Sequence, residues 1–196
     1  METKGKLTTR DMVLAPLFAA LMAIGANITS FAPFMVIGQV PITLQTFFAV
    51  LAGVILGSRL GSISMLLYML IGLFGAPVFA KFGGGFSSIL SPTFGFIVSF
   101  IFAAYVAGKI VEAKPTFGRF IVAAIVGTAV NYLVGTNWMY LAFKLWAAAP
   151  EGFTYTMAWG WMVLFIPKDL TLAIFAGILA HRLRKIPTIN ANKKIA

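Results

Sequence analysis

One uncharged tract limits the fold of this chain more than any other feature. From Met12 to Ser58 there is no Lys, Arg, Asp or Glu. A transmembrane α-helix needs about 20 mainly apolar residues to cross a bilayer, so this tract is long enough for two spans. Only 10% of the whole chain is charged, whereas soluble domains carry about 25%, and 60% is hydrophobic. The sequence therefore predicts an integral membrane protein in contact with the lipid bilayer.

Proline- and glycine-containing turns divide the apolar sequence into six segments of helical length. We predict an all-α integral membrane protein with six transmembrane helices, forming a single membrane domain over residues 1–196. The second helix is short for a complete span, so it either starts earlier or lies in a thinned or protein-covered region. The predicted helices cover residues 11–30, 42–57, 61–76, 93–111, 119–141 and 157–181.

The distribution of basic residues predicts the orientation. With six spans, both termini and the turns after the second and fourth helices share one side of the membrane. That side carries every Lys and Arg of the chain except Lys81, Lys144 and Lys168. Because cytoplasmic loops carry an excess of basic residues, we expect both termini to be cytoplasmic in a multi-pass protein of the cell membrane. The net charge of +10 then reflects topology and attraction to anionic lipid, not binding of nucleic acid.

Lys168 and Asp169 follow Pro167 within a long apolar tract. A charge at membrane depth costs about 2.5–3.5 kcal/mol on insertion scales, so it is usually paired, in a cavity or functional. Pro167 has no amide hydrogen and frees backbone groups beside the two charges. Two interpretations remain open. The pair binds a ligand, or it anchors the last helix at the membrane interface.

Few other polar side chains are expected at membrane depth. Gln45 begins the second helix on the outer side, where Lys81 and the charged pair are also expected. Tyr68 is a further candidate, and Asn131 lies near the middle of the fifth helix, where an interhelical hydrogen bond is the alternative to ligand contact. These groups predict a pocket in the outer half of the membrane for a small, largely apolar molecule with a few hydrogen-bonding groups.

The sequence contains no motif typical of an enzyme active site or a metal site. There is no cysteine and one histidine, and Asp169 is the only acidic residue expected at depth. We predict no enzymatic activity, no metal site and no cofactor bound by this chain. Gly83, Gly84 and Gly85 form a glycine-rich loop without the GKS/T pattern of a phosphate-binding loop, so the chain does not itself hydrolyse ATP. That loop is either a lid over the pocket or a plain linker.

A stripe of small residues marks the first helix, where Ala15, Ala19 and Ala23 recur every four residues. Small residues at this spacing allow a second helix to approach closely. Internal packing and contact with a partner protein are both open interpretations.

Four segments together resemble the BioY family, whose members are the biotin-binding S components of energy-coupling factor (ECF) transporters. The resemblance extends over about residues 10 to 185. It implies six helices and cytoplasmic termini, in agreement with the topology above. The four segments are residues 40–48 (VPITLQTFF), 51–61 (LAGVILGSRLG), 71–79 (IGLFGAPVF) and 91–96 (SPTFGF).

The resemblance implies a mechanism of import. The chain is expected to capture biotin from outside and to act with a transmembrane T component and two ATPase subunits, which use the ATP. The alanine stripe matches the motif that contacts the T component. Residues 91–96 depart from the Gly-Pro-Thr-Gly-Gly-Tyr usual in the family but keep its threonine, Thr93, as a candidate ligand residue. Many members have Pro-Gly-Asp where this chain has Pro167, Lys168 and Asp169.

Biotin offers two N–H donors and a carbonyl on its ureido ring, an anionic valerate tail and an apolar thiophane ring. Asp169 is the natural acceptor for the N–H groups, since a charge-assisted hydrogen bond is stronger than a neutral one. Gln45 or Asn131 is expected to donate to the carbonyl, and Lys168 or Lys81 to meet the carboxylate. The alternatives are an S component for another small vitamin, a stand-alone secondary carrier or channel, and a structural membrane subunit.

Overall fold

The structure is a computed structural model, and it describes residues 8–28, 30, 36–37 and 40–184. Six α-helices occur in this part of the chain, close to the predicted segments. Some of the basic residues used to predict the orientation lie outside the described residues, namely Lys4, Lys6, Lys185, Lys193 and Lys194. The helices are α1 Thr9–Asn27, α2 Gln45–Leu56, α3 Ser58–Leu73, α4 Phe94–Ala113, α5 Phe117–Leu145 and α6 Tyr155–Leu183.

Four of these helices, α1, α4, α5 and α6, are long and apolar enough to cross a membrane, whereas α2 and α3 are shorter. The arrangement of six spans with both termini in the cytoplasm stays a prediction. α2 has 12 residues and packs against each of the other five helices. A helix enclosed by protein in this way has its apolar side chains covered by other helices, and it need not match the thickness of the bilayer.

Glycines bring α2 close to its neighbours. A Cβ atom placed on Gly53 would lie 2.3 Å from the carbonyl oxygen of Ala104 on α4, so no other residue fits this crossing. Gly57 connects α2 to α3 with a φ of +88°, a conformation that favours glycine. Glu112 of α4 caps α3 there, since its carboxylate accepts hydrogen bonds from the backbone N–H of Ser58 at 2.7 Å and from its hydroxyl at 2.9 Å.

The alanine stripe of α1 lies mostly inside the chain. Ala15 and Ala19 are buried, at 6% and 3% exposure, where α1 packs against α2 and α3. Ala23 is half-buried against the same core. The stripe thus contributes to internal packing, and its contact with a partner protein stays a prediction.

Two features between the helices were not predicted. Val36–Ile37 and Val40–Pro41 form a short antiparallel pair, β1 and β2, in the connection between α1 and α2. The α3–α4 loop, residues 74–93, contains two short 3-10 helices, Ala80–Phe82 and Phe86–Leu90. Its second part is fastened to α5, because the indole N–H groups of Trp138 and Trp146 donate to the carbonyl oxygens of Ser91 and Leu90.

Candidate functional site

A cavity of about 330 Å³ lies where the start of α2, the α3–α4 loop, the start of α4 and the middle parts of α5 and α6 meet. This volume is within the range of about 300–1,000 Å³ typical of small-molecule sites. The cavity brings together all the predicted ligand residues except Tyr68, which lies behind its wall. Those that line it are Gln45, Lys81, Thr93, Asn131, Lys168 and Asp169.

Most of the remaining wall is apolar. Phe79 comes from the α3–α4 loop, Phe96 and Phe100 from α4, and Met162 and Phe165 from α6. Aromatic and thioether side chains of this kind cover the apolar part of a ligand, while the few polar groups fix its orientation. The cavity is therefore suited to a small molecule that is mainly apolar and carries several polar groups.

Lys168 and Asp169 form an ion pair in the cavity wall. The ammonium nitrogen of Lys168 lies 2.6 Å from Oδ1 of Asp169, and it also donates to the backbone carbonyl of Thr43 at 2.7 Å. The bond to Thr43 ties α6 to the segment before α2, as the anchoring interpretation requires. An ammonium group has three N–H donors, so Lys168 keeps one for a ligand. The geometry accommodates both interpretations of the pair at once.

Tyr132 holds the other carboxylate oxygen of Asp169. Its hydroxyl donates to Oδ2 at a distance of 2.5 Å, and both residues are buried. We did not predict Tyr132 as a site residue, because the sequence places it 37 residues from its partner. Each carboxylate oxygen has two lone pairs, so Asp169 can still accept hydrogen bonds from a ligand.

Gln45 and Tyr68 belong to a chain of hydrogen bonds that leads away from the cavity. Gln45 donates from Nε2 to the Tyr68 hydroxyl at 2.9 Å, and this hydroxyl donates to the carbonyl oxygen of Val78 at 2.9 Å. Tyr68 is only 1% exposed and packs edge-on against Phe79. Tyr68 therefore supports Gln45 from behind and does not line the cavity itself.

Asn131 makes interhelical hydrogen bonds, which the sequence offered as the alternative to ligand contact. Its Oδ1 accepts from the hydroxyl of Ser99 on α4 at 2.6 Å, and its Nδ2 donates to the hydroxyl of Thr46 on α2 at 3.3 Å. Asn131 also lines the cavity, so the same side chain connects three helices and is accessible to a ligand. Thr93 lies at the start of α4, where its hydroxyl is 2.9 Å from that of Ser91.

Lys81 is held in an unusual backbone conformation. Lys81 and Phe82 have φ angles of 59° and 55°, which few residues other than glycine adopt. The backbone N–H of Phe82 donates to Oδ1 of Asn27 at 2.7 Å, and that of Lys81 donates to the hydroxyl of Ser30 at 3.2 Å. The end of α1 thus fixes the part of the loop that carries Lys81. This role of Asn27 could not be recognised from the sequence, since its contact lies 55 residues away.

The glycine-rich segment adjoins the cavity, because Gly83 belongs to its wall. The α3–α4 loop therefore covers one side of the site, as a lid would, while its contacts to α1 and α5 hold it in place. Within the described residues no group of three His, Cys, Asp or Glu side chains is placed to hold a metal ion.

Comparisons with known proteins place the chain in a family. The model of the BioY family matches residues 1–188. A protein of Bacillus subtilis (strain 168) with the name "Putative biotin transporter BioYB" is 48% identical over 177 residues, which are 89% of this chain and 88% of that protein. The biotin transporter BioY of Thermotoga maritima is 32% identical over 178 residues, or 90% and 97% of the two chains.

The fold also matches a crystal structure of the S-component for biotin from an ECF-type ABC transporter. The TM-score is 0.74, and the match covers 92% of this chain and 95% of that one at 23% identity. At this identity the likeness is one of fold. The family match and the similar sequences carry the assignment beyond the fold, and both relatives are named as transporters. The chain is a membrane protein that belongs to the BioY family, a family of transporters and not of enzymes.

Proposed function

We propose that this chain is the biotin-binding S component of an ECF-type importer in the cell membrane, and that it captures biotin from the outer side. The observation that carries the proposal is the Asp169 carboxylate, buried at one wall of an otherwise mainly apolar cavity and held by Lys168 and Tyr132. A buried carboxylate that retains free lone pairs selects a ligand with N–H donors. The names of the similar proteins support biotin as that ligand.

The polar groups of biotin have counterparts in the cavity. Asp169 accepts from the ureido N–H groups, and the phenylalanine side chains cover the thiophane ring. Among the described residues, Lys168 and Lys81 are the two cations that line the cavity, and one of them meets the valerate carboxylate. Because Lys168 is already paired with Asp169, Lys81 has more of its charge available for an anion.

Uptake requires further subunits in this proposal. The chain crosses the membrane with six helices and both termini in the cytoplasm, and it contacts a T component through α1. Two ATPase subunits hydrolyse the ATP, and the chain binds neither a cofactor nor nucleic acid. Since Ala15 and Ala19 are buried, α1 presents a different set of residues outward, including Val13, Leu17 and Ile24.

Isothermal titration calorimetry of the purified protein with biotin tests the binding step. We expect saturable binding of one biotin per chain and no binding of thiamine or riboflavin under the same conditions. Absence of binding to biotin, or preference for another vitamin, would contradict the proposal.

Transport is tested in proteoliposomes. Radiolabelled biotin should accumulate when the T component and ATPase subunits are present with ATP, and not with a non-hydrolysable ATP analogue. Accumulation by this chain alone, driven by an ion gradient, would indicate a secondary carrier.

A further inference from the structure

We propose that Tyr68 is a positioning residue that orients the amide of Gln45, so that Gln45 accepts a hydrogen bond from an N–H group of the ligand. This reverses the role that the sequence suggested for Gln45, which was donation to a ligand carbonyl. The inference deepens the proposed function and rests on it, because biotin supplies the N–H groups in question.

The argument begins with the Val78 carbonyl, which can only accept hydrogen bonds. The Tyr68 hydroxyl lies 2.9 Å from this oxygen and has a single proton, which it therefore donates there. The Asn27 amide also reaches the carbonyl, but at the longer distance of 3.4 Å. With its proton committed to Val78, the Tyr68 hydroxyl offers only lone pairs to Gln45.

The side-chain amide of Gln45 must then turn its nitrogen toward Tyr68. Nε2 lies 2.9 Å from the hydroxyl and donates to it, whereas the reverse orientation would set the amide oxygen against an oxygen without a proton. Amide nitrogen and oxygen atoms are distinguished by their hydrogen-bond partners, and here the partner is unambiguous. The ring of Tyr68 is itself fixed, since it is fully buried and packs against Phe79.

The orientation leaves Oε1 of Gln45 for the ligand. Gln45 lines the cavity, and no group among the described residues donates a hydrogen bond to Oε1. Gln45 on α2 and Asp169 on α6 therefore both present side-chain acceptors with lone pairs to spare, and these helices pack against each other. Oδ1 of Asn131 already accepts from the hydroxyl of Ser99. The ureido ring of biotin has two N–H donors. We assign one of them to each acceptor, and the third proton of Lys168 is left for an acceptor group of the ligand.

A double-mutant cycle in biotin affinity tests whether Tyr68 acts through Gln45. Tyr68→Phe, which keeps the buried ring, should weaken biotin binding by roughly three- to tenfold, because the amide is no longer held in one orientation. In a Gln45→Met background the same change should have no further effect. An equal loss in both backgrounds, or no loss in Tyr68→Phe alone, would overturn the proposal.

A second cycle uses 2-thiobiotin, in which sulfur replaces the ureido oxygen, so that the acceptor is weaker and the two N–H groups are stronger donors. Because Gln45 contacts an N–H group, its removal loses nothing at the weakened acceptor, and the ratio of Kd for 2-thiobiotin to Kd for biotin should stay equal or rise in Gln45→Met. A ratio that falls toward one in Gln45→Met would show that Gln45 donates to the carbonyl, and the proposal would be wrong.

A failure of this inference can be told apart from a failure of the proposed function, because only the latter predicts that the unchanged protein does not bind biotin. Melting temperatures of all variants separate a change in the site from a loss of fold.

Discussion

The hydroxyl of Tyr132 on α5 lies 2.5 Å from Oδ2 of Asp169 on α6, while Lys168 occupies the other carboxylate oxygen at 2.6 Å. Oδ2 is thus held by a hydrogen bond before a ligand arrives, while Oδ1 faces the ammonium group as an ion pair and accepts no hydrogen bond from the described residues. A site whose polar groups are already oriented loses less conformational entropy on binding. The cost of burying the charge is offset by its two partners, so that its free lone pairs are available for ligand donors.

Replacing the carboxylate by an amide should weaken binding without disrupting the fold. Asp169→Asn exchanges a charged acceptor for a neutral one and leaves Lys168 without its anion. Losing a charge-assisted hydrogen bond costs about 1.5–3 kcal/mol, so the Kd for biotin should rise on the order of ten- to a hundredfold in calorimetry. Glu151→Gln is the matched control, since Glu151 is an exposed acid in the turn before α6. Unchanged affinity in Asp169→Asn would leave anchoring as the role of the pair.

Removing the hydroxyl of Tyr132, which holds Oδ2 of Asp169, should weaken biotin binding less than Asp169→Asn does. Tyr132→Phe keeps the ring but takes away the hydroxyl that orients Oδ2, while Lys168 still holds Oδ1. We expect biotin affinity to fall by about three- to tenfold, which corresponds to one ordinary hydrogen bond. Tyr105→Phe on the exposed face of α4 serves as control. If both variants bind biotin like the unchanged protein, Tyr132 does not contribute to the site.

The conformation of the loop around Lys81 should depend on α1. Asn27→Ala removes the acceptor for the N–H of Phe82, so one of the two contacts that offset the strain of two successive residues at positive φ is lost. Losing one such partly buried hydrogen bond costs about 0.5–1.5 kcal/mol, so the melting temperature should fall. Lys81→Gly in the Asn27→Ala background should restore part of it, because glycine adopts this φ without strain. No recovery would mean that the strain at Lys81 is not what destabilises Asn27→Ala.

The sequence predicted the parts of the fold that depend on local composition. Apolar tracts bounded by proline and glycine placed the six helices, and a charged pair in an apolar tract identified Lys168 and Asp169. The partners of these groups could not be predicted, since Tyr132 is brought to Asp169 and Asn27 to Phe82 only by the packing of whole helices. The short length of α2 made a protein-covered position one of its possible explanations, but which helices enclose it is a property of the assembled bundle.

The position of Tyr68 behind the cavity wall also depends on the packing of distant segments and could not be predicted. A tyrosine at membrane depth suggested contact with the ligand, because its ring and hydroxyl suit both parts of a mixed apolar and polar molecule. Its burial behind Gln45 depends on where the α3–α4 loop brings the Val78 carbonyl, and the sequence does not indicate this.

Orientation in the membrane can be tested directly, because the chain has no cysteine of its own. Ser87 is exposed in the α3–α4 loop, and Lys114 is exposed in the turn between α4 and α5. In intact cells, Ser87→Cys should react with an impermeant thiol reagent and Lys114→Cys should react only after the membrane is opened. The opposite pattern, or reaction of both variants from outside, would contradict the proposed topology.

Neighbouring alanines on α1 distinguish internal packing from contact with a T component. Ala19 is 3% exposed in the core, whereas Ala20 is exposed on the face that also contains Val13, Leu17 and Ile24. A tryptophan at Ala19 has no space inside the chain, and overpacking of a core typically costs about 1–3 kcal/mol or more. Ala19→Trp should therefore lower the melting temperature and the biotin affinity together.

Ala20→Trp makes the same change one residue further along, on the outside. It should leave melting temperature and biotin affinity intact, yet reduce recovery of the T component in co-purification and ATP-dependent uptake. The reason is that van der Waals contact between closely approaching helices drives their association in a bilayer, and a bulky side chain holds them apart. If Ala20→Trp assembles normally while Ala19→Trp stays stable and loses the T component, the alanine stripe itself is the docking face. The contacts that bury Ala19 would then have to separate when the complex forms.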